Sequence, residues 1–343
     1  MKWMFVLLYL CLAGSALGEP APYINAEPGY QFSFPKDHRP HPGYKTEWWY
    51  YSGHLTNQQD PKQRFGFQFT IFRLQRPQGV LYLFHCGLSG PDRFRFDEVL
   101  ARDWPGVGGL KGDTLWVHNN RLKISANRHQ LTSHCKGANL TLNLTHRLAP
   151  VIHGEKGISP KGDSPKNATH YYSVVDLTGE GELKLHGKTT KVHVDAWMDH
   201  EFGSNFMEPH QKGWDWSTLT LDSGDRLMVF RMRQQPGPDF YWGTVIKPDG
   251  GYQTLRDITM KPTGTFRSSK SQASYPDGFE LVTPLGRLIL RPWWLNQELV
   301  TKAAGMTYFE GAVDVTGTWN GQPATGSGYL EMTGYTGGTQ GKF

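Results

Sequence analysis

Apolar and polar residues alternate at a period of two along most of this chain. Phe65, Phe67, Phe69 and Ile71 share one face of an extended segment, Leu140, Leu142 and Leu144 alternate with Asn and Thr, and Tyr329, Glu331 and Thr333 alternate near the end. No helical periodicity persists beyond three turns, and Gly or Pro punctuation such as Pro248-Asp249-Gly250-Gly251 divides the segments at hairpin spacing. The pattern predicts an all-β protein built of closed barrels or sandwiches. One alternating series closes around Leu183 to His200 and a second starts at Trp214, which predicts two domains, 19–210 and 211–343. Gly154 to Gly162, rich in Gly, Pro and charge, reads as a long loop.

The stretch Val192 to Phe206, VHVDAWMDHEFGSNF, changes the picture from fold to chemistry. Val192, Val194, Ala196 and Met198 fall on one face of a strand, and His193, Asp195, Trp197 and Asp199 on the other. Gly203 breaks the strand, so His200 and Glu201 sit at its mouth. His170 and Tyr172 share a face of their own strand, and the two strands are expected to converge on one pocket. An acid, a base and aromatic walls together suit protonation of an isolated carbon–carbon double bond, with the Asp as proton donor and the rings stabilising the cation. For that, burial must raise the Asp199 carboxyl from its ordinary value of about 3.9. The competing reading of Asp199 is a turn-capping carboxylate.

Aromatic residues are dense, with Trp48, Trp49, Tyr50 and Tyr51 consecutive, Trp214 and Trp216 one strand step apart, and Trp293 next to Trp294. They fill barrel cores or line a ligand cavity. Trp48 and Trp49 point to opposite faces, so at most one of them can enter a given barrel.

Other chemistries fit less well. His200-Glu201 opens like H-E-x-x-H, but Ser204 stands at the last position and no helix is expected. His38, His41 and His200 could hold a metal, although satisfied core or surface histidines are the commoner explanation. Gly87-Leu88-Ser89-Gly90-Pro91 fails the G-x-S-x-G elbow at Pro91, and Gly179-Glu180-Gly181 lacks the third glycine of a dinucleotide fingerprint. Asp199 and Glu201, on one strand face, could serve as a glycosidase pair, a reading without other sugar-binding signals.

Length and charge add bounds. The chain of 343 residues carries a formal net charge of +5 without a block of like charges, which argues against nucleic acid. Met1 to Gly18, with Lys2, an apolar run from Trp3 to Leu12 and a small-residue end, reads as a secretory signal peptide. Its loss would remove Cys11 and leave Cys86 and Cys135, either disulfide-bonded or two buried thiols. Asn139, Asn143 and Asn167 open N-glycosylation triplets, which hint at surface exposure. A secreted or periplasmic location follows as an expectation.

The chain resembles the family that contains carotenoid 1,2-hydratase and the AttH-like predicted secreted hydrolases. The resemblance covers most of the mature chain and rests on Thr46 to Gly53 (TEWWYYSG), Gly154 to Gly162, His170-Tyr171-Tyr172, Trp197 to Gly203 (WMDHEFG), Gly213 to Trp216, Glu310 to Val313 and Gly328 to Tyr335. It implies two tandem lipocalin-like β-barrel domains. In the carotenoid hydratases a His-x-Trp and a Tyr-x-Asp are the proposed active-site elements, which fall on His170, Tyr172, Trp197 and Asp199, with Tyr172 and Trp197 exchanging the aromatic types. By this resemblance the protein is a cofactor-independent lyase that hydrates or cyclises a hydrophobic isoprenoid or polyene, with no metal. Asp199 is then the acid, His170 activates water, Tyr172 and Trp197 stabilise the cation, and Glu47, Trp48, Tyr50, His200, Trp214 and Trp216 surround the substrate. The alternative is a non-catalytic carrier of a lipid or other hydrophobe, with transient contact to a membrane or an envelope-transport partner.

Overall fold

The computed structural model describes residues 23–337, so the expected leader, with Cys11, lies outside the described residues. The protein is all-β and lipocalin-like, with one 3-10 turn, Lys36–His38, and no α-helix among the described residues.

The first sheet is built from β1 (Thr46–Asn57), β2 (Arg64–Arg76), β3 (Gly79–Ser89), β4 (Phe94–Arg102), β5 (Gly108–Lys111), β6 (Thr114–Val117), β7 (Asn120–Ser125), β8 (Arg128–Cys135), β9 (Ala138–Thr145), β10 (Val151–Ile152), β11 (Ser159–Pro160), β12 (Ala168–Leu185) and β13 (Lys188–Gly203). Its order is β4-β3-β2-β1-β13-β12-β9-β8-β7-β6-β5, with β10 and β11 added to β12. A bridge between Trp104 and Gly108 brings its two ends together and nearly closes the barrel. Inside lie Trp49, Tyr51, Phe67, Phe69, Phe84, Leu142, Val192, Val194 and Met198. These are the inward members of the alternating runs, so the period of two in the sequence becomes one buried face per strand.

Cys86 of β3 and Cys135 of β8 form a disulfide inside this barrel, their Cα atoms 5.9 Å apart. The bridge closes a loop 49 residues long and ties two strands that are not neighbours in the sheet. Replacing both cysteines by serine is expected to cost about 2–4 kcal/mol of stability, read as a lower midpoint in urea unfolding. Of the glycosylation triplets, Asn139 and Asn143 are on the exposed face of β9. Asn167 is fully buried, its amide 3.1 Å from that of Gln211, so the folded protein hides it.

The second sheet comprises β14 (Gln211–Leu221), β15 (Arg226–Gln234), β16 (Phe240–Ile246), β17 (Tyr252–Leu255), β18 (Thr259–Pro262), β21 (Phe279–Thr283), β22 (Gly286–Pro292), β23 (Glu298–Val300), β24 (Thr307–Trp319) and β25 (Gln322–Thr333), with β19 (Thr265–Arg267) and β20 (Ser274–Pro276) forming a separate hairpin. Its order is β17-β16-β15-β14-β25-β24-β22-β21-β18, and its own core holds Leu227, Val229, Phe279, Leu288, Phe309 and Leu330.

A third apolar cluster joins the two sheets. It takes Tyr50, Tyr171, Val175 and Trp197 from the first and Trp216, Met228, Phe230, Met232 and Trp242 from the second. Polar contacts cross at the same place: His85 Nδ1 lies 2.6 Å from the Tyr308 hydroxyl and His54 Nε2 lies 3.0 Å from the Gly328 carbonyl. Gly66 permits the close approach of β2 to β24, because a Cβ there would stand 2.9 Å from the Cβ of Ala312.

Candidate active site

The outward face of the first sheet carries the chemistry, and strand pairing decides which residues reach it. On β13, Asp199 lies opposite Ser173 of β12 and Tyr50 of β1, and Glu201 lies opposite Tyr171 and Trp48. Directly paired residues share a face, so these side chains all leave the barrel toward the second sheet. His170, Tyr172, His200, Phe202, Glu47 and Trp49 occupy the alternate positions and turn into the barrel.

Asp199 is buried, with three donors on its carboxyl. Trp197 Nε1 donates to Oδ1 at 2.7 Å, the Ser173 hydroxyl donates to the same oxygen, and the Tyr171 hydroxyl donates to Oδ2 at 2.9 Å. Two of these donors, Tyr171 and Ser173, are fixed from behind. Trp216 Nε1 donates to the Tyr171 oxygen at 3.2 Å, and His153 sits 2.7 Å from Ser173 and 2.8 Å from Thr244 of β16. Burial and the Lys161 charge hold His153 down to about 3, so it is a neutral ring. Its Nε2 then donates to Ser173 while Nδ1 accepts from Thr244. Burial, with a smaller push from the nearby Glu201 charge, raises the Asp199 carboxyl to about 7 against the pull of its three donors. A carboxyl poised there can both give up a proton and be recharged near neutral pH.

In front of Asp199 opens a cleft between the two sheets, about 790 Å³ with the solvent at its mouth included. Its apolar walls include Trp48, Phe72, Phe206, Trp214, Trp216 and Phe230. Lys161 is the one cation among the lining residues. Its ammonium pairs with Glu201 at 2.5 Å and stands 4.9 Å from the Tyr171 ring and 4.8 Å from the Phe230 ring, so these walls already accommodate a positive charge. Glu201, also held by the Thr169 hydroxyl, is occupied as the counter-ion of Lys161. That engagement removes it from a glycosidase pair with Asp199. On the far wall, Glu310 of β24 and Glu331 of β25 face each other directly.

The expected constellation is therefore divided. Asp199, Trp48, Tyr50, Trp214 and Trp216 meet at the cleft, and Trp197 supports Asp199 from outside the lining. His170 and Tyr172 do not converge with Asp199, because they lie on the opposite face of the sheet. His170 donates from Nδ1 to the Gly157 carbonyl at 2.7 Å and packs 4.4 Å from the Tyr30 ring. Glu47 and His200 are likewise inside the barrel. There a chain of hydrogen bonds runs from His41 Nδ1 to Glu47 Oε1 at 2.7 Å, from Glu47 Oε1 to His200 Nε2 at 2.8 Å, from His200 Nδ1 to the Tyr172 hydroxyl at 2.8 Å, and on to His38 Nδ1 at 2.7 Å. Burial alone would raise Glu47, but hydrogen bonds from His200 and His41 bring it to about 2, whereas burial keeps His200 below its usual value despite Glu47. The contact is best read as a carboxylate accepting from a largely neutral ring.

The donor atoms of His41, Glu47 and His200 lie within 4.8 Å of one another, a set chemically suited to a divalent ion such as zinc. Each donor is already engaged by another member of the cluster, and His38 turns to Tyr172 instead of joining it.

The model of the family described as AttH-like matches residues 25–335. The chain belongs to the AttH-like family. A putative AttH from Nitrosomonas europaea has a solved structure that is 30% identical, with a TM-score of 0.84 over 91% of this chain and 99% of that one. Kievitone hydratase from Nectria haematococca is 17% identical with a TM-score of 0.73, covering 93% of this chain and 97% of its own. CghA solved with Sch210972 is 11% identical with a TM-score of 0.55, covering 86% and 89%. At those two identities the likeness is one of fold. No curated protein matches the chain.

Several residues of this AttH-like cleft escaped the sequence reading. Tyr171 and Ser173 needed the strand register, and His153 and Lys161 needed the course of the connections that follow β10 and β11. Glu310 and Glu331 are carboxylates within alternating strand patterns, an unusual place for an acid, and that was the one signal available for them.

Proposed function

We propose that this protein is a hydratase-like enzyme in which Asp199 protonates a carbon–carbon double bond of a hydrophobic substrate held in the cleft between the two sheets. The observation that carries the reading is a buried carboxyl poised near 7, fixed by Trp197, Ser173 and Tyr171 at the head of an aromatic cleft. The proton passes to one alkene carbon, the cation at the other is stabilised by Trp48, Trp214, Trp216 and Phe230, and water adds there or the chain cyclises. Support also comes from family membership and from a fold shared with a protein named as a hydratase, the one acting on kievitone. The substrate class follows from the sequence resemblance: an isoprenoid or polyene of the carotenoid type. Export is part of the proposal, supported by the leader-like Met1 to Gly18 and the Cys86–Cys135 disulfide.

The test is ligand fate. Mature protein is incubated with isoprenoid, polyene and lipid extracts in oxygen-18 water, and the products are weighed by mass spectrometry. A product heavier by one labelled water is expected. Ligands that bind and are released unlabelled and unchanged would make the protein a carrier.

A further inference from the structure

The reading above supplies an acid and a cation-tolerant wall but nothing to deprotonate the incoming water. We infer that Glu310 and Glu331 form a carboxylate pair that shares one proton and acts as the general base for that water, on the wall opposite Asp199. The inference rests on the hydratase reading.

Glu310 and Glu331 are directly opposed in the antiparallel pair of β24 and β25, where facing Cβ atoms stand about 5 Å apart. Their neighbours in sequence, Phe309, Leu330 and Met332, point into the second core, so parity sends both carboxyls toward the first sheet. Glu310 is fully buried, and both line the cleft. The Tyr50 hydroxyl donates to Glu310 Oε2 at 2.8 Å, and Trp214 Nε1 donates to Glu331 Oε1 at 3.2 Å. Glu310 Oε1 is buried with no hydrogen-bond partner among the described residues. An orphaned acceptor of this kind is costly unless a ligand or water completes it.

The surroundings explain why the pair holds a proton. Facing it are the phenols Tyr50, Tyr308 and Tyr329, the indole of Trp214, and the carboxyls Asp199 and Glu201, with Lys161 committed to Glu201. Burial raises Glu310 well above the carboxylate range, with the Glu331 charge adding to it, and burial raises Glu331 to about 8. Two adjacent carboxyls, Glu310 fully buried and Glu331 partly so, cannot both ionise without a cation of their own; the pair gives up one proton near 8 and keeps the other, so its singly protonated, base-competent form grows as pH rises toward 8. A purely structural role would be served more cheaply by an amide or apolar pair.

The step balances. The Asp199 O–H bond breaks, and its proton joins one alkene carbon through the π electron pair. A lone pair of water forms the C–O bond at the cationic carbon. The water O–H bond breaks with its electrons left on oxygen, and its proton goes to Glu310 Oε1. Asp199 is left ionised and the pair doubly protonated, and exchange with solvent resets both.

Two measurements test this. Without any substrate, infrared titration of the mature protein should show carbonyl bands of protonated carboxyls persisting at neutral pH. In Glu331→Gln the band belonging to Glu310 should titrate at lower pH, because the like charge is gone; an unchanged titration, or wild-type bands lost below pH 5, would overturn the shared proton. With the alkene found by the oxygen-18 assay, Glu310→Gln in deuterium oxide should lose hydration about 10²-fold or more while still placing deuterium in the recovered alkene. Asp199→Asn should lose both. Azide or formate should restore part of the hydration in Glu310→Ala. Full hydration by Glu310→Gln and Glu331→Gln, each folded by near-ultraviolet circular dichroism, would remove the base role. If wild type hydrates nothing, that role falls with the reading it rests on, and the titration alone decides the shared proton.

Discussion

Asp199→Asn is expected to lower kcat by about 10²–10⁴-fold while leaving ligand affinity within a few-fold of wild type. The substitution keeps the size of the side chain and the acceptor that Trp197 and Ser173 bond, and the Tyr171 hydroxyl can turn to accept from the new amide. What it removes is the acidic proton. The pH behaviour follows from the same group. Its folded value, about 7, lies above the ordinary carboxylate value, so the acid form dominates below 7 and the step that needs only this acid, deuterium placement in the recovered alkene, should fall as pH rises through it. Stability carries the same sign: the contribution of protonated Asp199 is fully present below its unfolded value near 4 and is lost as pH rises through 7. Asp199→Asn should therefore gain on wild type above pH 7, by at most roughly 4 kcal/mol. Urea unfolding at several pH values reads this directly. Full turnover in the variant, or an unchanged pH dependence of stability, would show that Asp199 is not the buried acid.

The all-β class and the inward sets such as Phe65-Phe67-Phe69-Ile71 were legible, because a strand buried on one face writes its period into the sequence. So was the split of Trp48 from Trp49: Trp49 enters the barrel and Trp48 lines the cleft. The partnership of β12 and β13 was not. The hairpin turns through His186 and Gly187, both with positive φ, and pairs Leu185 with Lys188 and Leu177 with Ala196. Continued without interruption, that register would set Val174 against Asp199, and His170 and Tyr172 would share its face. Instead Val174 pairs with Met198, leaving Val175 and Asp176 opposite Trp197. This β-bulge inserts one residue and turns the side chains of β12 that precede it in the chain to the other face. Tyr171 and Ser173 therefore reach Asp199. Nothing local in His170-Tyr171-Tyr172-Ser173 reports a bulge several residues away. Glu310 and Glu331 were hidden for a different reason, since they meet Asp199 only when the second sheet packs on the first.

Lys161→Met is expected to destabilise the protein by about 3–5 kcal/mol. Lys161 and Glu201 are only 7% and 5% exposed and their charged atoms are 2.5 Å apart. Removing the ammonium alone leaves a buried carboxylate supported by the Thr169 hydroxyl, and the cost is mainly that stranded charge. The double variant Lys161→Met with Glu201→Gln strands nothing, and the Gln carbonyl can still accept from Thr169, so it should recover most of the loss in urea unfolding. The two variants also separate stability from chemistry. Because the Glu201 charge helps to raise Asp199, its removal in the double variant should move the alkaline fall of deuterium placement to lower pH, whereas exposing that charge in the single variant should move it higher. Opposite shifts would tie the ion pair to the acid across the strand face; equal shifts would confine it to packing.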